Sequence, residues 1–135
     1  MDYRTFVQRV QEVGEIEAPE EAERAIVATL ETLGERLEGT HRSHVATQLP
    51  GELRPHLEKR PYRGVFLLPE FYNRVAARAD VGRPHAERLS QAVMAVLREA
   101  ISAGEWRDMS GALSVDYGEL LGRPRVPPTA PLPHP

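Results

Sequence analysis

The chain has 135 residues, 41% of them hydrophobic and 27% charged, with a formal net charge of −3. That length supports one compact domain with a full hydrophobic core, and the charge excludes a globally basic, nucleic-acid-coating surface. Cysteine is absent, which excludes disulfide staples, thiolate metal sites and cysteine nucleophiles.

No stretch approaches the roughly 20 apolar residues of a membrane span. The opening MDYRTF lacks a charged-then-apolar export pattern, so a cytoplasmic location with no membrane partner is expected. Residues 1–60 carry eight basic and twelve acidic groups, residues 61–122 seven and eight, and residues 123–135 two basic and none acidic. Sixteen of the seventeen basic residues are Arg. Interleaved with Glu as they are, they read as a coding bias before they read as anion forks.

Helical spacing dominates the chain. Tyr3, Phe6, Val7, Val10 and Val13 lie on one helical face, with Asp2 placed to cap the helix and Gly14 to end it. A second helix opens at Pro19, with Glu20, Glu21 and Glu23 at its positive end and a stripe of Ala22, Ile26, Leu30, Leu33 and Leu37. Gly39 is read as its stop and Thr40 as the cap of a short third helix carrying Val45 and Leu49. Pro50 ends that helix. A fourth pattern, Leu53 and Leu57, has Pro55 inside it and is expected to be kinked or barely formed.

Residues 60–66 read as a connector, broken by Pro61 and Gly64. Pro69 and Glu70 then open a helix with Phe71, Tyr72, Val75 and Ala79. A long helix follows with Leu89, Val93, Val96, Leu97 and Ile101, and Gly104 is read as its stop. A short helix holds Trp106, Met109 and Leu113, and Ser114 caps a last turn with Tyr117, Leu120 and Leu121.

The second half repeats the first. Phe6, Val10 and Pro19 match Phe71, Val75 and Pro84 at an offset of 65. Ala22-Glu23-Arg24 returns as Ala86-Glu87-Arg88 at 64, Leu33 and Leu37 match Leu97 and Ile101, and Leu49 and Leu53 match Leu113 and Tyr117. The expected fold is all-α: two tandem four-helix repeats, residues 2–59 and 67–122, packed into one helical bundle-like domain. Residues 123–135 hold six prolines and no helical pattern, and read as a disordered tail rather than a polyproline ligand.

Several signatures occur together. They are the opening Tyr-x-x-Phe-x-x-x-Val, then Glu-Glu-Ala-Glu-Arg-Ala, Leu-Glu-Thr-Leu-Gly-Glu-Arg-Leu and a short helix closing in Gln-Leu-Pro, followed by a second copy with Val-x-x-Val-Leu-Arg-Glu-Ala-Ile-Ser-x-Gly-Glu. Together they resemble the bacterial domain of unknown function 2267 family over residues 2–122. The second copy departs from the first by closing in Ala-Leu-Ser. The resemblance implies an all-helical bacterial cytoplasmic protein and brings no catalytic residue with it.

Reactive constellations are weak. Glu38-x-x-His41 has a spacing used in di-iron bundles, but there is no second copy of it and Gly39 intervenes. His41 and His44 therefore read as surface groups, and no metal or cofactor is expected. The acidic run Glu15–Glu23 reads as dipole complement rather than an acid–base pair. Neither a nucleophile elbow nor a phosphate-binding glycine loop occurs, so no catalytic residue is assigned and the protein is not expected to be an enzyme.

Three binding candidates stand. Arg24 and Arg88, one per repeat, could meet an anion; the simpler reading pairs Arg24 with Glu20 or Glu21. Trp106 could anchor an interface; the simpler reading is a core anchor. Lys59, Arg60 and Arg63, around Tyr62, could touch nucleic acid; the simpler reading is a solvated linker. The expected function is a non-catalytic interaction module that binds a protein partner or itself. A small-anion or nucleotide sensor and a weak nucleic-acid factor are the alternatives, and nucleic acid is the least expected partner.

Overall fold

The computed structural model describes residues 1–123. The expected tail lies outside the described residues except for Arg123. Seven α-helices and no strand are present among the described residues: α1 Tyr3–Gly14, α2 Pro19–Arg36, α3 Gly39–Gln48, α4 Arg54–Glu58, α5 Leu68–Ala79, α6 Arg83–Ala100 and α7 Ala103–Gly111. A single 3₁₀ turn, Val115–Gly118, follows. The protein is therefore all-α, and no described helix is long and apolar enough to cross a membrane.

Local chemistry explains most boundaries. Asp2 accepts a 2.8 Å hydrogen bond from the Thr5 N–H and caps α1. Pro19 opens α2, and Glu20 and Glu21 fill its first turn. Helices α1 and α5 both end on a left-handed residue, Glu15 (φ 53) and Asp80 (φ 55). Gly14 is still helical and does not serve as the stop.

Two other expected stops fail for a different reason. Gly39 opens α3 and Gly104 lies inside α7, because the chain leaves α2 and α6 through extended Leu37 and Ile101 and re-enters a helix at once. The cap of α3 is Glu38, not Thr40. Pro55 occupies the first turn of a five-residue α4. The fourth element of the second half is only the 3₁₀ turn, so the halves differ there.

Helix lengths recur: α1 and α5 have 12 residues, α2 and α6 have 18. Packing crosses between the halves. Helix α1 lies on α6, α5 lies on α2, α2 meets α6, and α3 meets α7. Each half thus covers the long helix of the other, and buried residues from both form one core that includes Phe6, Leu30, Phe71, Leu97 and Tyr117. A chain segment of about 60 residues is marginal by itself, and the crossing joins both halves in one core.

Helix α2 is the most enclosed. It carries α4 as well, and the two backbones approach at Gly34, where a Cβ would press on the Leu57 carbonyl.

Candidate functional site

The enclosure of α2 places ionisable groups where the sequence suggests a solvated face. Glu31, Glu35 and Arg36 are all buried. Buried charges need partners, and the connector and α5 provide them. Glu31 accepts from Arg60 Nε at 2.8 Å, with Lys59 Nζ at 3.6 Å. Glu35 is ion-paired with Arg78 Nη1 at 2.6 Å and accepts from Arg74 Nη1 at 3.3 Å. Burial alone would raise the Glu35 pKa, but Arg78 and Arg74 outweigh it and hold the carboxyl below its usual range.

Arg36 reaches the other side. Its Nε donates to the Phe66 carbonyl at 3.0 Å and its Nη2 to Ser114 Oγ at 3.3 Å, while its guanidinium lies 5.1 Å from the Tyr117 ring centre. The Tyr117 hydroxyl donates to the same Phe66 carbonyl at 2.7 Å.

The connector is thereby laced onto α2. The Arg63 N–H donates to the Glu35 carbonyl at 2.7 Å, and Arg42 Nη1 donates to the Arg60 carbonyl at 2.6 Å. The Arg74 guanidinium stacks 3.9 Å from the Phe66 ring centre. Residues 63–66 belong to no helix, so their backbone groups depend on such partners. Of the basic strip, Lys59 and Arg60 face Glu31, and Arg63 contributes its backbone. Two of the strip's three charges meet Glu31, while Lys59 and Arg63 stay exposed to solvent.

This lacing displays apolar side chains. Tyr62, Val65, Leu67 and Val115 are exposed, the last three by 68%, 57% and 89%. They belong to one region. Tyr62 and Val65 line a cleft of about 230 Å³ with Leu37, His41 and Ala112. The Leu68 N–H donates to Asp116 Oδ2 at 2.7 Å, which ties the residues beside Leu67 and Val115 together. Burial would raise the Asp116 pKa, but this bond and others keep it below its ordinary value. Val65 and Leu67 face solvent on either side of the partly buried Phe66, so their exposure comes from a fixed backbone. Sequence reasoning named Tyr62 only within the basic strip and did not join it to Val65, Leu67 and Val115, because no local pattern brings residue 115 to the connector.

The arginine pair separates. Arg24 is exposed, makes none of the expected bonds to Glu20 or Glu21 among the described residues, and lines two clefts. One, of about 440 Å³, also holds Tyr3, Glu23, His56 and Arg78; the other, of about 360 Å³, holds Glu21, Asp80 and Leu89. Glu21 instead meets His85 at 3.0 Å. Arg88 is exposed and lines none of the five main clefts.

Trp106 is buried to 8% exposure under the Arg98 guanidinium, 5.4 Å from the ring centre. Little of its surface is left for a partner. Glu38 sits outside α3, so it does not share a helical face with His41. His44 lies 3.9 Å from Glu105. Among the described residues no group of three or more His, Asp or Glu is placed to hold a metal ion.

The model of one protein family, described as an uncharacterized conserved protein (DUF2267), matches residues 3–120. No curated protein matches the chain.

Proposed function

The chain belongs to the DUF2267 family, and from that premise we propose that it is a non-catalytic interaction module acting in a bacterial cytoplasm. It binds a protein partner, or a second copy of itself, through the exposed patch of Tyr62, Val65, Leu67 and Val115. The supporting observation is that these side chains project from backbone pinned by Arg36, Tyr117 and Asp116. A surface ordered before binding loses little entropy on association.

The fold is read as a duplication. Paired helices of 12 and 18 residues support this, as do left-handed caps at Glu15 and Asp80, 65 residues apart. The offset is 65 as far as Pro19 and Pro84 and 64 from Ala22 and Ala86 onward, and the α1–α2 loop is one residue longer than the α5–α6 loop.

Native mass spectrometry of the protein from its host, with light scattering of the purified chain, tests the patch. The expected mass is a multiple of the chain or the chain plus one protein, and Val65→Asp combined with Val115→Asp returns it to the monomer. A monomer in both preparations, or a complex that both aspartates leave intact, overturns the reading.

A second reading, a small-anion or nucleotide sensor, keeps Arg24 and draws on its place in two clefts with no ionic partner among the described residues. Thermal stabilisation by phosphate or nucleotide that Arg24→Ala abolishes would support it. The nucleic-acid reading has the least support, since Glu31 answers Lys59 and Arg60.

A further inference from the structure

Helical spacing puts Glu20, Glu23, Arg24 and Val27 on one face of α2, and the same face continues through Glu31, Gly34 and Glu35. The later part is closed: α4 lies against Gly34, and the connector meets Glu31 and Glu35. The earlier part is open. Glu20, Glu23 and Arg24 are exposed and Val27 is half-buried. Tyr3 of α1, His56 of α4 and Arg78 of α5 wall this part into the cleft of about 440 Å³, a volume within the range of small-ligand sites.

Charge is sorted along the cleft. Glu20 and Glu23 occupy the end nearest the start of α2. Burial, then Glu23 and Glu52, push the Tyr3 phenol up, so its hydroxyl stands at the same acidic end. Arg78 marks the other end: its Nη1 meets Glu35 at 2.6 Å and donates to Thr32 Oγ1 at 2.8 Å, beyond Val27 along α2. His56 is there too, next to Leu57, whose carbonyl lies on Gly34. Arg24 stands between. At about 1.5 Å per residue, the two ends are about 10 Å apart.

These charges are not matched to one another. Among the described residues Glu20, Glu23 and Arg24 form no ion pair, although Glu21 beside them holds His85 at 3.0 Å. Arg78 uses only Nη1; its Nε and Nη2 make no hydrogen bond among the described residues, and neither is shut away from solvent. The Glu35 and Thr32 contacts fix this guanidinium, so the rest of its fork is preorganised at the cleft wall. A bare anion at Arg24 would also meet Glu20 and Glu23, and like charges repel. A ligand with a cation at one end and an anion at the other suits both ends.

We propose that this cleft binds a short linear zwitterion, the class to which a tripeptide belongs, with its carboxylate between Arg24 and Arg78 and its ammonium at Glu20 and Glu23. Three extended residues span about 10 Å, the separation of the two ends. This site rests on the second reading above, in which Arg24 receives an anion, and adds the ligand's cationic end.

Isothermal titration calorimetry of the whole chain with trialanine tests it. Acetylating the peptide amine, or amidating its carboxyl, is expected to weaken binding about tenfold or more, the value of a hydrogen bond to a charged group. Glu23→Gln should weaken trialanine by a similar factor and leave the acetylated peptide unchanged. Arg24→Ala should weaken trialanine likewise and leave the amide unchanged. Both replaced side chains are exposed, and thermal unfolding of each variant verifies the fold. Trialanine that does not bind at millimolar concentration, or that binds equally when blocked or in both variants, overturns the proposal. Inorganic phosphate bound through Arg24 where trialanine is not bound overturns the zwitterion and keeps the second reading. Failure of trialanine, phosphate and nucleotide alike overturns both.

Discussion

Replacing Gly34 by alanine sets helix propensity against packing. In an exposed helix interior the change would stabilise by about 1 kcal/mol. At Gly34 the new Cβ would press on the Leu57 carbonyl, overlapping its oxygen and lying 3.1 Å from its carbon, whereas ordinary carbon contacts are about 3.5–4.0 Å. The obstacle is backbone, so no rotamer relieves it and α4 must retreat by roughly 1 Å. That retreat opens gaps around Leu53 and Leu57, both fully buried. Gaps of this size forfeit about a quarter to a half of a contact's energy, and each leucine's burial is worth about 1.5–3 kcal/mol. With overpacking strain of about 1–3 kcal/mol, and after the propensity gain, the expected loss is about 2–4 kcal/mol, a fall in Tm of roughly 10 °C. Urea unfolding followed by circular dichroism measures it. Gly111→Ala, which meets open space at the end of α7, is the control and should gain up to about 1 kcal/mol. A Gly34→Ala midpoint at or above wild type would refute the claimed contact.

Arg78→Ala removes the shorter of the two ion pairs to buried Glu35 and leaves Arg74 at 3.3 Å, so a cost of about 2–3 kcal/mol is expected. Adding Glu35→Met should recover much of it, and simple additivity in the double-mutant cycle would show that the pair is not coupled. Stability should also fall at both ends of the pH range. The folded-state pKa values of Glu35, Asp116 and Glu99 are lowered, so their contribution is complete above about pH 4.5 and is lost as pH falls through those values. Burial pushes the Tyr117 phenol up to about 12 and raises Tyr72 as well. Their contribution is complete below about pH 10 and is lost as pH rises toward 12. A urea midpoint that stays level from pH 5 to pH 3, or an alkaline loss that Tyr117→Phe leaves unchanged, would contradict these assignments.

Most of the helical content was legible from apolar spacing and caps. The stripes of Phe6 and Val10, of Leu30 and Leu33, and of Phe71 and Val75 are all buried, and Asp2 and Pro19 mark helix starts. Glycine misled at Gly39 and Gly104, because a stop and an immediate restart look alike when only the breaker is read. The ion-pair belt was not recognised, although a signal existed. Glu31 and Glu35 are four residues apart on α2, and Arg74 and Arg78 are four apart on α5. Arg74 and Arg78 both reach Glu35, while Glu31 is met from the connector by Arg60 and Lys59, and no local pattern reveals which distant segment faces which carboxylate.

The sequence by itself determined where most helices form and which face of each is apolar, because these properties depend on neighbours within about four residues. Only the tertiary structure decided that α1 covers α6 and α5 covers α2, that Gly34 admits α4, and that the connector is clamped to α2 by Glu31 and Arg36. The same charges and turns suit solvent equally well until a distant helix removes the water. The exposed patch at Val65 and Val115 follows from that clamp, since backbone fixed on one side by burial must present its remaining side chains on the other.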